Sequence, residues 1–217
     1  MSIWTDLPLF PLHTVLFPGM ILPLRIFEER YKLMVNRCLL EERPFGVVLI
    51  HPTERRLYEI GTSALIAGVS YLSDGQINIV VIGHERFRVL TVHAEQPYLV
   101  SRAEPWPLVQ DQAEDQGLVN PLRALFHQYL VLLAQAQGHK MAIDEIPTEP
   151  SALALLVAIA LQLPVLQKQQ LLSQDTVAHL LRAEWSILRR EQLILNYIIQ
   201  TQREQWEGGF SGLLSRN

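Results

Sequence analysis

The first half of the chain consists of short apolar segments separated by turn residues. Five such segments follow one another from Phe45 to Trp106, and strands of this length at close spacing predict an all-β sandwich or barrel over residues 1–106. Gln76–Gly83 and Arg86–Val92 are read as two separate strands. Asp74-Gly75 predicts a hairpin, because a tight turn needs positive φ and this dipeptide tolerates it.

One helical pattern interrupts these strands. Tyr31, Met34, Val35, Cys38 and Leu39 recur at helical spacing and form a single apolar stripe. We therefore expect an amphipathic helix whose stripe packs into the core. Cys38 lies on that stripe and is predicted to be a buried, unreactive residue.

From Leu118 onward the apolar pattern has a helical period. The preceding residues, 107–117, are polar and acidic and end in glycine, which is typical of a linker. The prediction is a helical bundle over residues 118–207, followed by a flexible tail over 208–217. With the β-barrel this makes an α+β protein of two parts.

Helix boundaries in the second half follow from glycine and proline. The first helix is expected to end at Gly138. The next is expected to open with Thr148 as N-cap and Pro150 in its first turn, and to stop at Pro164. Its apolar run, Ala152–Leu161, is shorter than the roughly 17–25 residues that span a bilayer, so we expect a buried helix and no membrane span.

The last helix is expected to start near Asp175 and to end at Gly208, and it carries apolar doublets at seven-residue intervals. Such a repeat indicates a packed stripe, and two accounts of it stay open. The stripe packs within its own bundle, or it joins two copies of the chain in a homodimer. The residues that would carry self-association are Leu181, Leu188 and Leu195.

Four prolines interrupt the apolar segment Leu7–Tyr31. Pro8, Pro11, Pro18 and Pro23 cannot donate to a strand ladder, so they are expected at strand starts, edges or bulges, dividing the segment into pieces that bend around a small barrel. Pro18 is followed by glycine, which predicts a turn.

Composition and charge narrow the function classes. The 217 residues are 49% hydrophobic, which supports a folded core, and carry a net charge of −4. Residues 1–105 contribute −1 and residues 106–217 contribute −3, so neither half is basic. Nucleic acid is therefore not the expected partner. A single cysteine and an N-terminus without a secretion signal favour the reducing cytoplasm.

Patterns of catalytic chemistry are missing from the sequence. There is no phosphate-binding G-x-x-x-x-G-K-[S/T] motif, and the seven histidines show no metal-ligand spacing, so we expect no cofactor and no metal. The stretch GGFSGL lacks the last glycine of a nucleophile elbow. Lys168 is expected to serve a helix end and not as a catalytic base.

The segment LPLFPLHTVLFPGMILPLRIFEERY, followed by FGVVLI, GTSALI and DGQINIVVIGHERFRV, resembles the N-terminal substrate-binding domain of Lon proteases. The helical stretch IPTEPSALALLVAIALQLPVLQKQQLLSQDTVAHLLRAE is similar to the segment that follows in that domain. The resemblance implies a PUA-like pseudo-barrel, a following helical bundle, and a role in gripping protein substrates or partners. We expect this chain to lack the ATPase and protease modules of a complete Lon enzyme, since 217 residues leave no room for them.

Two charged clusters are candidate binding residues. In FEERY, Glu28, Glu29 and Arg30 would form a charged rim for a partner if the flanking Phe27 and Tyr31 face inward. The alternative is that Arg30 only makes local ion pairs, worth about 0–1 kcal/mol at a surface.

In GHERFRV, Arg86 and Arg88 alternate with apolar residues, so both are expected on one face of a strand. Two arginines on a strand usually form a solvated face. PUA-like folds also include RNA binders, so phosphate contact by this pair remains as an alternative.

The function that the resemblance implies, and that we expect, is non-catalytic recognition of polypeptides in protein quality control. The expected partner is an unfolded client polypeptide, or an ATPase or protease of quality control. Two alternatives stay open. One is an RNA-binding PUA-like protein, and the other is a hydrolase whose site is assembled from scattered histidines and acids.

Overall fold

The computed structural model describes residues 3–54, 56–94, 96–110, 112–138 and 145–214, without the side chains of 112–115 and 203–214. Within these ranges the chain forms six strands and five helices. The strands are β1 (Trp4–Leu12), β2 (Ile21–Ile26), β3 (Phe45–Leu49), β4 (Ile60–Tyr71), β5 (Ile77–His93) and β6 (Leu99–Pro105). The helices are α1 (Glu29–Leu40), α2 (Gln112–Ala136), α3 (Pro150–Ala160), α4 (Val165–Leu172) and α5 (Val177–Leu214).

The strands form one sheet that closes on itself through β5. The neighbour order is β2-β5-β4-β3-β1-β6, and β5 also pairs with β6. β5 can serve three neighbours because it has 17 residues: Ile82 faces Ile21 of β2, and further along Val89 faces Ala103 of β6. The predicted hairpin is confirmed, since Gly75 between β4 and β5 has φ +78°.

β5 is one strand where the sequence suggested two. Gly83, read as the end of a strand, continues the ladder, and a Cβ placed on it would lie 2.1 Å from the carbonyl oxygen of Phe17. Glycine is therefore required there for a close backbone approach, and not for a turn. The β4–β5 register slips just after it, because Ala64 faces Gly83 whereas Thr62 faces Arg86, which makes a β-bulge.

The prolines lie where strands have a partner on one side. β1 pairs with β6 as far as Leu9 and with β3 from Leu9 onward, so Pro8 faces Val100 of β6 and Pro11 faces Val48 of β3. Pro23 lies in β2, at one end of the strand order. A missing N–H costs least at such positions, so these three prolines fit in strands, while Pro18 lies in the turn before β2.

The predicted helix α1 and its apolar stripe are confirmed. Tyr31, Met34, Val35 and Cys38 are buried in the same core cluster as Phe45 and other strand residues. Leu39 is partly buried against that cluster. The closed sheet is therefore filled on one side by a helix that the chain inserts between β2 and β3.

The chain divides into two compact units. The first unit takes in the residues up to Val109 together with Ala158–Asp175, and the second takes in Gln110–Val157 and the residues from Thr176 on. Helix α4 thus belongs with the sheet, although periodicity alone grouped it with the other helices. A side chain of α4 makes the connection: Gln169 Nε2 donates to the carbonyl oxygen of Ile60, 2.9 Å away.

In the second unit α2 packs against α5. Gln192 Nε2 of α5 donates to the carbonyl oxygen of Leu125 of α2 at 2.9 Å. α2 begins at Gln112, inside the segment expected to be a linker, and Gly138 follows it with φ +70°. α5 continues through the glycines at 208 and 209 to Leu214, so the predicted end at Gly208 is wrong.

Helix α3 is capped by a residue that the sequence reasoning passed over. Glu149, and not Thr148, accepts hydrogen bonds from the backbone N–H groups of Ser151 and Ala152, at 3.1 Å and 2.5 Å. Partial burial raises the pKa of Glu149, but these N–H donors and the Ser151 hydroxyl outweigh it and hold the pKa below its usual value. Pro150 occupies the first helical position, as predicted.

Candidate functional site

A groove of about 590 Å³ opens on the first unit beside the turn from β2 to α1. Consecutive residues from the end of β1 and the end of β2 line it, and Glu28, Arg30 and Tyr31 line it from the start of α1. Much of the lining is aliphatic. Its partly buried leucines are Leu12, Leu24, Leu57 and Leu99.

Two aromatic rings form part of the groove lining. Phe10 and Tyr31 lie with ring centroids 4.3 Å apart, and both are buried among core residues. Burial raises the pKa of the Tyr31 phenol above its usual value. Rings that the core holds in place offer a rigid apolar surface to an incoming side chain.

The charged rim of FEERY required Phe27 and Tyr31 to face inward, and Phe27 does not. Its side chain is 64% exposed, whereas its neighbour in FEERY, Tyr31, is buried as expected. The strand β2 ends at Ile26 and α1 begins at Glu29, so Phe27 lies in the connection, where neither period dictates its direction. An exposed phenylalanine at the edge of an apolar groove is the feature that sequence reasoning missed.

The charged residues of FEERY form local ion pairs at the groove. Arg30 Nη2 lies 2.6 Å from Glu28 Oε2, and the Arg30 guanidinium lies over the Tyr31 ring, 4.6 Å from its centroid. Glu29 pairs with Lys32 at 2.8 Å and is not part of the groove lining. The structure thus brings Glu28 and Arg30 together at the groove and directs Glu29 elsewhere.

The prediction that Arg86 and Arg88 share an exposed face of the strand is wrong. Arg86 is 4% exposed, and its Nη1 donates to the carbonyl oxygens of Leu172 and Gln174 at 2.6 Å and 2.5 Å. The bulge before it shifts the alternation of β5, which turns Arg86 inward. Burial lowers the pKa of Arg86 to about 10, against an opposing effect of Asp175.

Arg88 is also engaged within the first unit. Its guanidinium lies over the Trp106 ring, 3.3 Å from the centroid, and Nη1 lies 3.7 Å from Glu104 Oε1. One of the two arginines proposed for phosphate contact is therefore buried, and the other is partly buried and engaged by Trp106 and Glu104. The RNA alternative loses the pair of cations on which it depended.

The predicted self-association stripe packs inside the second unit. Leu181 and Leu188 are 1% and 0% exposed on the helix that packs against α2, and Leu195 is partly buried. Among the α5 side chains that the structure describes, the exposed large apolar ones lie beyond Leu188. They are Leu193, Ile194, Tyr197 and Ile198.

The groups considered for catalysis have structural partners. Lys168 Nζ donates to the carbonyl oxygens of Ala158 and Ile159 at the end of α3. Cys38 is 1% exposed, and burial raises the pKa of its thiol to about 11.

Among the residues described here, no group of three or more His, Cys, Asp and Glu side chains is placed to hold a metal ion. In the same part of the chain, no helix has the length and apolarity to cross a membrane.

The family of the ATP-dependent protease La (LON) substrate-binding domain matches residues 6–190. The chain belongs to this family, as its sequence blocks indicated. The match covers the substrate-binding domain and not the ATPase or protease modules of Lon enzymes.

Relatives and solved structures agree with this assignment. The Lon proteases of Anaeromyxobacter dehalogenans and Trichlorobacter lovleyi are 29% and 30% identical over 87% and 90% of the chain. The chain spans about a quarter of their length, 24% and 25%. A Lon N-terminal domain protein from Xanthomonas campestris superposes with a TM-score of 0.63 at 28% identity, covering 84% of this chain and 98% of that one. The N-terminal domain of a Mycobacterium avium complex Lon protease shares the fold, with a TM-score of 0.68 at 22% identity and coverage of 87% and 98%.

Proposed function

We propose that this chain is a non-catalytic module that recognises polypeptides, and that the groove between β1, β2 and α1 is its binding surface. In this proposal the first unit is a PUA-like pseudo-barrel and the second a helical bundle. The observation that carries the proposal is the apolar lining of the groove beside the 64% exposed Phe27. An exposed apolar patch rimmed by charge is typical of a protein interaction site.

The chemistry of the groove favours an unfolded polypeptide as its occupant. Full burial of a Leu or Phe side chain contributes about 1.5–3 kcal/mol. Two or three such side chains contribute about 3–9 kcal/mol before the cost of association and ordering is subtracted, so the expected dissociation constant is about 0.1–1 mM. This range suits a module that grips many clients in turn. The relatives are Lon proteases, which supports a role in protein quality control, in which the module presents clients to an ATPase or protease.

The proposal predicts weak dependence on salt. The charges at the groove are already paired, Arg30 with Glu28 at 2.6 Å and Arg25 with Asp74 at 3.5 Å. Apolar contact then dominates, whereas phosphate contacts of an RNA ligand would weaken steeply as salt rises.

The test is fluorescence anisotropy with a labelled, reduced and alkylated protein that stays unfolded, at low and high salt. Phe27→Ala should weaken binding about 5- to 20-fold, because one exposed aromatic anchor is lost. Tyr71→Ala is the matched control, since Tyr71 is aromatic, 66% exposed and outside the groove lining. Equal effects of the two variants, or preferential binding of a labelled oligouridylate that salt abolishes, would contradict the proposal.

A further inference from the structure

We propose that the groove selects segments in which an acidic residue accompanies bulky apolar residues, and that Arg30 is the residue that recognises the acid. The inference rests on the proposed function, because it names the class of polypeptide that the same groove takes. Three observations carry it: the charge count of the lining, the position of Arg30, and the exposure of its ion pair.

The charged residues of the lining are two cations and one anion. The guanidinium groups of Arg25 and Arg30 line the groove with the carboxylate of Glu28. Asp74, outside the lining, lies 3.5 Å from Arg25, so each arginine has one carboxylate partner. A carboxylate supplied by the occupant would be attracted by Arg30, whereas a lysine would be repelled by it.

Arg30 lies between the charged and the apolar parts of the groove. Its Nε and Nη2 lie 2.8 Å and 2.6 Å from Glu28 Oε2, while the guanidinium plane lies 4.6 Å from the centroid of the Tyr31 ring. A guanidinium has five N–H donors, so the bonds to Glu28 leave donors for a second carboxylate. An acid bound there is held beside the Phe10 and Tyr31 rings.

The ion pair of Arg30 is open to exchange. The side chains of Arg30 and Glu28 are 50% and 41% exposed, and solvent-exposed pairs of this kind are weak. An incoming carboxylate can therefore share or replace Glu28 at little cost. Arg25 is held differently, because its Nε donates to Gln76 Oε1 at 2.6 Å and anchors it to the β4–β5 hairpin. Arg25 is also paired with Asp74 at 3.5 Å, so Arg30 is the residue that makes the contact.

The short distance from Arg30 to the ring sets the spacing in the occupant. In an extended segment, side chains two residues apart lie on one face, roughly 6.5–7 Å from each other. The acid and the apolar residue that packs on the rings must then be no more than two positions apart. Segments with a distant acid should gain nothing from it.

The experiment uses the full chain and three labelled synthetic peptides that differ at one position. Each contains the same Phe and Leu residues, with Asp, Asn or Lys two positions from a Phe. At about 0.1 M salt we expect the Asp peptide to bind about fivefold more tightly than the Lys peptide. Arg30→Gln should reduce that ratio to below about twofold, and Glu28→Gln should tighten binding of the Asp peptide.

Two further variants serve as controls. Arg37→Gln should leave the ratio of Asp-peptide to Lys-peptide affinity unchanged, because Arg37 does not line the groove. Arg37 is a matched control, since it pairs with Glu41 at 2.8 Å and the two side chains are 44% and 40% exposed, much like Arg30 and Glu28. Arg30→Lys keeps the charge but loses the planar fork, so an intermediate ratio is expected. It also provides a second reading if the Gln variant is poorly folded.

The outcomes separate the two proposals. Equal affinity for the three peptides, a preference for Lys, or an unchanged ratio in Arg30→Gln would overturn the acid selection while leaving polypeptide binding intact. If none of the peptides binds at millimolar concentration, the proposed function itself is overturned.

Discussion

Arg86 and Leu172 are joined by a hydrogen bond of 2.6 Å between the guanidinium Nη1 and the carbonyl oxygen, although 86 residues separate them in sequence. The same Nη1 reaches the carbonyl oxygen of Gln174, so one cation inside the first unit holds the end of α4. Carbonyl groups at the end of a helix lack internal partners, and the buried guanidinium satisfies the carbonyl of Leu172, the last residue of α4, and that of Gln174 just beyond it. This contact explains how a helix from the last third of the chain belongs with the sheet.

Replacement of Arg86 should therefore destabilise the protein strongly. Arg86→Ala removes two charge-assisted hydrogen bonds and leaves two carbonyl groups without their donor, at a cost of about 2–4 kcal/mol in the free energy of unfolding. Arg88→Ala, which removes a partly exposed cation over Trp106, should cost less than about 1 kcal/mol. Urea unfolding of both variants checks this. Equal midpoints for the two would contradict the account.

The Cys38 thiol should be unreactive in the folded protein. Its pKa is raised from 9.0 to about 11 by burial, so the reactive thiolate is scarce at pH 8, and the side chain is 1% exposed. We expect reaction with a disulfide reagent to be at least about 100-fold slower than in denaturant, where the group is free. Rapid labelling of the native protein would show that the α1 stripe is not packed as described.

The same raised pKa predicts a pH dependence of stability. Below pH 9 the thiol is neutral in the folded and unfolded states, and its contribution to stability is complete. Between pH 9 and about 11 the unfolded state loses its proton first, so this contribution declines as pH rises. Cys38→Ala should remove that part of the alkaline decline. Unfolding midpoints of both proteins at pH 8 and pH 10.5 measure the difference, and parallel declines would contradict it.

The heptad position of Leu188 left packing within the bundle and self-association open, and its burial agrees with packing within the bundle. It is fully buried, so Leu188→Glu should destabilise the second unit by more than about 3 kcal/mol instead of dissociating a dimer. Leu193→Glu is the control, because Leu193 lies on the same helix and is 73% exposed. Thermal melting should separate the two variants clearly. A native-like melting temperature for Leu188→Glu would show that Leu188 does not pack against α2.

The cap of α3 gives a prediction at acid pH. Glu149→Ala should cost about 1 kcal/mol, whereas Thr148→Ala should have little effect, because the N–H donors of Ser151 and Ala152 bond to Glu149. Because the pKa of Glu149 is lowered in the folded state, the ionised carboxylate stabilises the protein above the ordinary carboxyl pKa. This stabilisation is lost as pH falls through the pKa that Glu149 has in the folded protein. The difference between wild type and Glu149→Ala should therefore shrink at low pH, as measured by urea unfolding at pH 7 and pH 3.

Local patterns in the sequence were sufficient for α1 and for the turn at Gly75. The apolar residues from Tyr31 to Cys38 repeat at helical spacing and are buried on one face of α1. Gly75 has the positive φ that its turn requires. The direction of Arg86 could not be predicted in this way, because the bulge that turns it inward depends on the register between β4 and β5. Alternation along a single strand carries no information about such a slip.

The groove was only partly predictable for a similar reason. FEERY was singled out, and two of its charged residues, Glu28 and Arg30, do line the groove. The aliphatic lining comes from β1, β2, β6 and the residues after β3, which are distant in sequence. Phe27 lies in the connection between β2 and α1, where neither the strand period nor the helix period predicts whether a side chain is buried.

The most direct test of the central claim is site-specific photo-crosslinking to an unfolded client. A benzophenone amino acid is placed at position 27 or, as the control, at position 71, and each protein is irradiated with the labelled, alkylated client protein. Both positions carry exposed aromatic side chains, 64% and 66% exposed, and only Phe27 lines the groove. The account predicts strong cross-linking from position 27 that excess unlabelled client removes, and little from position 71. Equal cross-linking from both positions, or none from position 27, would contradict it.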